Sequence, residues 1–402
     1  MRDPYERILS FNQNRDPHFI QFKYNSMATS AFRFFRGSCH LFYEDLAQQQ
    51  SWKDNTISWI CGDLHLANFG TYRSRHQVVY FDLNDFDEAV LAHPTWEVAR
   101  FICSVFLAGW ELQIEDDDLK TIAMHLLGQY ISALQNGKAF SIEKETVKGI
   151  LKKYIKTVSE RDYVKFIDSK TTFNDLKQKR LKIDGKKYFA IEDDHLRTKL
   201  TLKLGEYLNH LVPKQKLRFQ ILDVAIRVAG TGSIGLKRYV FLVYDVVNKT
   251  YHLTDMKQAS PSSLTQMSSL KVKQPAWSDE AERIQFVQNI MEYETPEWFA
   301  SIIFQDQAYI VKELQPDQDK MDFKQCKASP KKFTEACNHM ARLMAYAQIR
   351  SSGRKGAGSV EELIQFANEQ DNHWKVELLN YSYIYAKQVV KDYQSFVQSY
   401  QA

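Results

Sequence analysis

The residues best suited to chemistry in this sequence lie in the segment Gly62–Asn68, which reads GDLHLAN. Phosphoryl transfer requires a carboxylate that accepts the proton of an attacking hydroxyl and a nearby amide oxygen that helps to hold a divalent metal. Asp63 and Asn68 supply both groups on one tight loop, and His65 between them could donate a proton or positive charge to a phosphate. A polar turn that satisfies local backbone groups has the same composition, so the motif alone does not decide the function.

A second set of candidate residues follows the next predicted strand, where four acids occur within residues 82–88. They are Asp82, Asp85, Asp87 and Glu88. Such a cluster costs free energy unless a cation neutralises it, and a hard cation such as Mg²⁺ is a suitable occupant. A solvated acidic loop is the alternative, but the spacing of 17 residues from Asn68 to Asp85 across one hairpin favours the metal site.

A glycine-rich motif occupies residues 230–235, in which Gly230, Gly232 and Gly235 have the spacing GxGxxG and Ser233 lies among them. In a dinucleotide-binding domain a helix follows these glycines directly. Residues 238–247 lack a helical period and are apolar on both faces of a two-residue repeat, so they read as a strand instead. A glycine loop between two antiparallel strands is typical of the hairpin that covers the nucleotide in kinases.

Lys257 ends the next predicted strand, 22 residues after Gly235. A lysine there could neutralise two phosphates, and an acid on the following helix, Glu280 or Glu282, would orient it. An isolated lysine at a strand end is usually a surface residue, so the neighbouring motifs carry this assignment.

Predicted strands and helices position these motifs. In the first half of the chain, residues 57–61 and 77–82 are predicted strands, a helix begins with Thr95 as its N-cap, and a second helix follows Asp116–Asp118. The remaining predicted elements are strands at 221–229, 238–247 and 251–257, two strands within 301–314, and helices at about 279–293 and 331–400 with a break at Ser351–Ser359. Five strands therefore lie between two helical flanks.

The composition indicates a soluble globular protein. Of the 402 residues, 44% are hydrophobic and 25% are charged. No stretch approaches the roughly 18 consecutive apolar residues of a membrane span, and the polar N-terminal residues lack the apolar core of a signal peptide. The five cysteines show no metal or disulfide spacing, which fits a reducing compartment. We therefore expect a cytoplasmic protein that does not bind membranes.

Positive charge is concentrated in residues 144–187, which hold 14 Lys and Arg residues and 6 Asp and Glu residues. This segment could guide an anionic substrate, a nucleotide or a nucleic acid, but no nucleic-acid recognition motif accompanies it. The simpler interpretation is a solvated helical insertion with a hairpin at Ile183–Gly185.

Together the motifs resemble the aminoglycoside phosphotransferase branch of the protein-kinase-like superfamily. The GDLHxxN loop, the strand-end Asp and a helix that starts with Pro-x-Trp-Glu carry this resemblance. More narrowly, the segments CGDLHLANFG, DLNDFDEA, RVAGTGSIG and FRFFRG are similar to a bacterial family called domain of unknown function 2252, over nearly the whole chain.

The resemblance implies roles for individual residues. Asp63 matches the catalytic base, with His65 beside it, and Asn68 and Asp85 match the two metal ligands. Asp85 is preferred to Asp82 because Glu97 then stands where the family has a structural acid behind the loop.

The nucleotide-binding residues follow from the same resemblance. Gly230, Gly232, Ser233 and Gly235 match the glycine-rich loop, Lys257 matches the nucleotide lysine with Glu282 or Glu280 as its acid, and Lys312–Gln315, which includes Glu313, matches the hinge between lobes. Arg36 is a further candidate for contact with substrate or phosphate, against the alternative of a surface arginine on an amphipathic helix.

The order of the motifs is a cyclic permutation of the order in kinases, because the catalytic and metal-binding acids precede the glycine loop. The sequence therefore predicts an α+β, two-lobe protein-kinase-like fold in circularly permuted order. Residues 1–215 would form the first part of a helical catalytic lobe, 216–326 a β-rich nucleotide lobe, and 327–402 the completion of the helical lobe.

The implied function is an ATP- and Mg²⁺-dependent phosphotransferase that acts on a hydroxyl group of a small molecule or protein. Two alternatives remain open at this point: transfer of AMP from ATP bound in the reversed orientation, and a nucleotide-binding protein without catalytic activity. The expected partners are ATP, Mg²⁺ and the acceptor, and nucleic acid is not expected.

Overall fold

The computed structural model describes residues 3–49, 51–212, 217–267, 270–316, 319–369 and 373–401. The helices are α1 (Pro4–Asn12), α2 (Pro17–Met27), α3 (Ala31–Gly37), α4 (Cys39–Gln49), α5 (Pro94–Glu111), α6 (Asp116–Asn136), α7 (Gly149–Ser159), α8 (Tyr163–Lys170), α9 (Asp194–His210), α10 (Glu280–Met291), α11 (Pro330–Ser351), α12 (Val360–Ala367) and α13 (His373–Gln401). The strands are β1 (Ser58–Ile60), β2 (Phe69–Arg73), β3 (Val79–Leu83), β4 (Val90–Ala92), β5 (Thr171–Phe173), β6 (Lys179–Leu181), β7 (Tyr188–Phe189), β8 (Phe219–Arg227), β9 (Arg238–Asp245), β10 (Thr250–Gln258), β11 (Ala300–Phe304), β12 (Gln307–Leu314) and β13 (Asp319–Lys320). The fold is therefore α+β, with several separate sheets.

The largest sheet is antiparallel and has six strands in the order β11-β12-β10-β9-β8-β7. The five strands predicted in this region are present, and β7 adds a sixth at the β8 edge. Alternate residues of β9 bury opposite faces, so Phe241 and Val243 pack with α9 while Val240 and Leu242 pack towards α8 and β6. Both faces of the sheet thus contain apolar clusters.

The basic segment 144–187 packs against one face of this sheet. It forms α7, α8, β5 and β6, and its residues Ile167 and Leu181 are buried against the sheet. The hairpin lies earlier than predicted, because β5 pairs with β6 around residues 174–178. At the predicted position, Gly185 instead occupies a tight turn with a φ of 64°, which favours glycine.

The helical body is built from both ends of the chain. One continuous apolar core joins residues as distant as Ile8 and Phe396, and α5 runs through it buried along almost its entire length. The α5 N-cap is His93 rather than the predicted Thr95, because Pro94 takes the first helical position that proline favours. None of the described helices is long and apolar enough to cross a membrane.

Two small sheets hold the predicted catalytic and acidic loops. The antiparallel pair β1–β4 brackets both loops, and the sheet β13-β2-β3 lies beside them. Because Phe69 is paired with Leu83, the end of the first loop meets the start of the second. The predicted boundary between residues 215 and 216 lies outside the described residues.

Candidate active site

Most of the predicted site residues surround a cleft between the six-stranded sheet and the helical body. The cleft contains two adjoining cavities that share Asp85, Asp87, Gly230, Ser233 and Lys320. The first, which we call the Asp63 cavity, has a volume of about 50 Å³ and is also lined by Arg36, His65, Asn68 and Gly232. The second, the Lys257 cavity, has a volume of about 460 Å³ and is also lined by Arg227, Arg238, Asp255, Lys257 and Lys312.

Asp63 is held by an arginine that the sequence did not single out. Arg100 on α5 forms an ion pair with Asp63, and its Nε lies 3.0 Å from Asp63 Oδ1. Burial raises the pKa of Asp63 to about 6, although the charge of Arg100 opposes this shift. The second carboxylate oxygen, Oδ2, faces the glycine loop, and a Cβ atom at Gly232 would lie 3.8 Å from it. Asp63 therefore has one fixed oxygen and one oxygen directed at the cavity.

His65 is oriented by the same loop. Its Nδ1 accepts a hydrogen bond of 3.1 Å from the backbone N–H of Ala67, so Nε2 carries the proton. Nε2 lies 3.8 Å from Asp63 Oδ2. Burial holds the pKa of His65 well below its usual range. The structure thus favours a neutral imidazole that donates an N–H over the positive charge considered from the sequence.

Asn68 is locked by a contact with the backbone of the catalytic candidate. Its Nδ2 donates a hydrogen bond of 2.5 Å to the carbonyl oxygen of Asp63. Because the amide nitrogen is used in this way, the side-chain oxygen is the atom left to meet a cation.

Glu97 supports the loop from behind, in the position that the resemblance implied for it. One of its carboxylate oxygens accepts a hydrogen bond of 2.5 Å from the backbone N–H of Cys61, and the other accepts one of 3.2 Å from Gln348. Burial raises the pKa of Glu97 to about 7. Gln348 lies on α11, so the end of the chain helps to position the catalytic loop.

The acidic residues 82–88 divide into structural and cleft-facing side chains. Asp82 lines neither cavity, since it is buried and pairs with Arg350 at 2.9 Å. Glu88 borders the Asp63 cavity, but its carboxylate accepts hydrogen bonds from Ser262 and Ser263. Asp85 and Asp87 line both cavities.

Lys257 projects from β10 across the cleft to these two acids. Its Nζ pairs with Asp87 and lies 3.9 Å from Asp85 Oδ1. Burial raises the pKa of Asp85, but the positive charges of Lys257, Lys312 and Lys320 outweigh it and hold that pKa below its usual value. The lysine predicted to bind phosphates therefore lies beside Asp85, one of the two predicted metal ligands, in the folded chain.

The prediction that Glu280 or Glu282 pairs with Lys257 is wrong. Glu280 pairs with Arg283 at 2.6 Å. Glu282 accepts a hydrogen bond of 2.7 Å from the backbone N–H of Ser278, at the exposed start of α10. The side chains that α10 directs towards the Lys257 cavity are the uncharged Ile284 and Gln288. The negative charge beside Lys257 therefore comes from the acidic loop and not from the helix.

Glu313 also points away from the cleft. Its carboxylate accepts hydrogen bonds from Tyr163 at 3.0 Å and contacts His252 at 2.8 Å. Its neighbours Lys312 and Leu314 line the Lys257 cavity, because successive residues of β12 face opposite sides of the sheet. The side chain of Glu313 is thus not among those that line either cavity.

The glycine loop joins β8 to β9, as predicted, and the N-terminal segment holds it down. Arg15 Nη1 donates hydrogen bonds of 2.6 and 2.7 Å to the carbonyl oxygens of Gly232 and Ile234. Lys23 Nζ lies 3.3 Å from the same oxygen of Gly232. The backbone N–H of Asp16 donates to the carbonyl oxygen of Gly235 at 3.1 Å. We call these four contacts the N-terminal clamp.

The family model described as an uncharacterised protein conserved in bacteria, DUF2252, matches residues 15–399. The chain belongs to this family. No curated protein and no solved structure matches it. Among the residues that line the two cavities of this DUF2252 chain, only Phe11 lies outside the matched segment.

Cations that the sequence did not single out dominate the sheet wall of the Lys257 cavity. Arg227 and Arg238 both pair with the buried carboxylate of Asp255, at 2.7 and 2.8 Å. One signal was present in the sequence, since Asp255 and Lys257 are two residues apart on a strand and must share a face.

In this DUF2252 chain, Asp85 and Asn68 are the side chains assigned to hold a divalent cation, and both line the Asp63 cavity. Across the described ranges, no group of three or more His, Cys, Asp or Glu side chains is arranged to bind a metal by itself. Mg²⁺ usually takes one or two carboxylates and completes its shell with water and substrate phosphates. The pair therefore fits a cation that binds together with a phosphate ligand.

Proposed function

We propose that this protein is an ATP- and Mg²⁺-dependent phosphotransferase, with a kinase-like arrangement of two lobes in circularly permuted order. The observation that carries the proposal is the contact of Lys257 with Asp87, 170 positions apart in the chain, in a cleft that also contains Asp63 and Asn68. These residues supply the base, the metal ligands and the phosphate-neutralising cation that phosphoryl transfer requires.

The six-stranded sheet and the helical body supply the two walls of the proposed nucleotide site. The phosphates of ATP would lie beneath the glycine loop, where Lys257 and Lys312 offset their charge. Asp85 and the side-chain oxygen of Asn68 would hold Mg²⁺, which neutralises the charge that develops on the phosphate oxygens during transfer.

In the proposed reaction, Asp63 acts through the oxygen that Arg100 does not hold. Asp63 Oδ2 accepts the proton of the acceptor hydroxyl as the hydroxyl oxygen forms its bond to the γ-phosphorus. The bond from that phosphorus to the β,γ-bridging oxygen breaks, and ADP leaves. The Nε2–H of His65, 3.8 Å from Asp63 Oδ2, is able to donate to an oxygen of the transferred group.

Calorimetry with ATP tests the nucleotide site directly. We expect wild-type protein to bind ATP more tightly with Mg²⁺ than without it, and Lys257→Ala to lose at least tenfold in affinity. Lys199→Ala is a matched control, since Lys199 is exposed on α9 and lines neither cavity. Equal affinity of the wild-type and Lys257→Ala proteins, with and without Mg²⁺, would contradict the assignment of the site.

Transfer of AMP from reversed ATP is the second candidate, and the sheet wall of the Lys257 cavity favours it. Arg227, Arg238 and Lys312 make this wall strongly charged, which suits phosphates better than a nucleobase. Incubation with hydroxyl-bearing metabolites and ATP separates the candidates. The γ-label appears on the acceptor in phosphoryl transfer and the α-label appears there in AMP transfer, whereas nucleotide binding without either product indicates a protein that lacks catalytic activity.

A further inference from the structure

The cations that line the Asp63 cavity fall into two pairs. Arg15 and Lys23 belong to the N-terminal clamp and donate hydrogen bonds to carbonyl oxygens of the glycine loop. Arg36 and Lys320 also line this cavity, and neither side chain forms an ion pair with a residue in the described ranges. Arg36 and Lys320 are thus the two cations of this cavity whose charged groups meet no hydrogen-bond acceptor in the described residues.

The acids around the same cavity are already engaged. Asp63 pairs with Arg100, Asp85 and Asp87 lie beside Lys257, and Glu88 accepts hydrogen bonds from two serines. Among the charged side chains of this cavity, Arg36 and Lys320 are therefore the two that remain available to a ligand.

Arg36 has a buried donor that lacks a partner. Its Nε is shielded from solvent and forms no hydrogen bond with the described residues. A buried donor of this kind costs about 1–3 kcal/mol, and more when the group is charged, so native proteins normally satisfy it. Burial lowers the pKa of Arg36. An anion between Arg36 and Lys320 would supply an acceptor for the buried donor and offset the cost of burying its charge.

The position of Arg36 separates this anion site from the nucleotide phosphates. Arg36 lines the Asp63 cavity and not the Lys257 cavity, whereas Lys257 and Lys312 line the Lys257 cavity and not the Asp63 cavity. A hydroxyl that gives its proton to Asp63 Oδ2 must enter the Asp63 cavity. Other groups of the same molecule then lie beside Arg36.

We infer that the acceptor carries an oxyanion, a phosphate or a carboxylate, which Arg36 and Lys320 bind beside Asp63. This inference rests on the proposed phosphotransferase function. It excludes polycationic acceptors, because the two free cations would repel them. The expected acceptor is a small hydroxylated carboxylic acid or a hydroxylated phosphate ester.

Binding of inorganic phosphate tests the anion site without an identified acceptor. We would measure it by calorimetry at constant ionic strength, on free protein and on protein saturated with Mg²⁺ and a non-hydrolysable ATP analogue. The variants are Arg36→Gln, Lys320→Gln and Lys257→Ala. Arg33→Gln is the matched control, because Arg33 is exposed on the same helix and lines neither cavity.

We expect phosphate to bind wild type, Arg33→Gln and Lys257→Ala, and to lose roughly 10–100-fold in affinity in Arg36→Gln and Lys320→Gln, the size of a lost charge-assisted hydrogen bond. Affinity for the ATP analogue should be unchanged in Arg36→Gln. The inference is overturned if phosphate does not bind or if Arg36→Gln leaves phosphate affinity unchanged. It is also overturned if Arg36→Gln reduces affinity for the ATP analogue as much as it reduces affinity for phosphate. If the ATP analogue binds neither the wild-type protein nor any variant, the proposed function is rejected instead. Phosphate binding to the free protein still tests the role of Arg36 in that case.

Lys320→Gln guards against a folding artefact, since Lys320 is exposed and its replacement should leave the thermal midpoint unchanged. A second arm compares hydroxyl compounds in pairs, such as glycerol with glycerol 3-phosphate. Transfer from ATP to the anionic member of each pair supports the inference. Equal transfer to the neutral member, unaffected by Arg36→Gln, overturns it.

Discussion

Arg100 Nε lies 3.0 Å from Asp63 Oδ1, while Nη2 of the same guanidinium donates to the carbonyl oxygen of Phe35 at 3.1 Å. The guanidinium also covers the ring of Phe35 at 4.1 Å, so its position is fixed on both sides. Arg100 is thus a positioning residue that immobilises one carboxylate oxygen of Asp63 and lowers the pKa that burial alone would produce.

The pH dependence of turnover should report Asp63. Because its pKa is about 6 and the base must be ionised, we expect kcat/KM to fall about tenfold for each pH unit below 6. Asp63→Asn should bind ATP normally yet lose roughly 10²–10⁴ in rate, the usual contribution of a positioned base. Stopped assays of labelled transfer from pH 5 to 8 measure both effects. Full activity of Asp63→Asn would remove Asp63 from the mechanism.

Replacement of Arg100 should move this pH profile. In Arg100→Lys the shorter side chain weakens the interaction with the Asp63 carboxylate, so the pKa of Asp63 rises and the acid limb shifts to higher pH by up to about one unit. A purely structural role for Arg100 would lower the amount of folded protein and leave the limb near pH 6. The pH profile of the purified, folded Arg100→Lys protein separates these outcomes.

Asp85 and Asp82 should respond differently to the same substitution. Asp85→Asn removes a proposed metal ligand, so Mg²⁺-dependent ATP affinity and rate should both fall. Asp82→Asn removes the buried carboxylate that pairs with Arg350 and leaves the mostly buried guanidinium without its countercharge, so it should cost roughly 3–5 kcal/mol of unfolding free energy and leave metal-dependent binding intact. Calorimetry and denaturant unfolding of both variants measure these effects. Loss of metal-dependent binding in Asp82→Asn alone would exchange the two assignments.

Two glycines of the loop should also differ. A Cβ at Gly232 would have ordinary contacts with Arg36 and Asp63 at 3.6 and 3.8 Å, so Gly232→Ala should fold normally but place a methyl group where phosphate must enter. We expect at least a tenfold loss of rate with an unchanged thermal midpoint. Gly235 has a φ of 93°, and its Cβ would lie 2.9 Å from Arg15, so Gly235→Ala should lose about 1–2 kcal/mol of stability. Equal stability of the two variants would contradict this loop geometry.

Glu97 should make stability depend on pH. Its pKa is raised from 4.5 to about 7 in the folded chain, so its stabilising contribution is complete below pH 4.5 and is lost as pH rises through 7. Relative to Glu97→Gln, the wild-type unfolding free energy should therefore decline by about 3 kcal/mol over that interval. Urea unfolding of both proteins from pH 5 to 8 measures the difference. A difference that is constant with pH would show that Glu97 is ionised throughout.

The sequence predicted those parts of the site that lie in one continuous segment. Asp63 and Asn68 share a loop, and the glycine motif is followed by a strand whose two-residue repeat is visible in residues 238–247. Local spacing is enough in such cases, because the geometry of one turn or hairpin relates the residues.

The remaining residues were not predictable because their partners are far away in the chain. Nothing local to Arg100 indicates that Asp63 lies beside it, and Arg15 has no sequence signal that connects it to Gly232. Glu282 was misassigned because its spacing fits a pairing role, whereas its position in the first turn of α10 commits it to the backbone of Ser278. Strand β2 was missed because its five residues show no alternation of exposed and buried side chains.

The N-terminal clamp has a consequence for how the chain is made. Arg15 and Gly232 are 217 residues apart, so the ribosome must add that whole stretch after Arg15 before Arg15 can reach its partner. At about 5–20 residues per second this delay is roughly 10–40 s. During that time α2 and the residues just before it lack the loop that they hold in the finished protein. Completion of the cleft therefore has to wait for a segment that is translated long after Arg15.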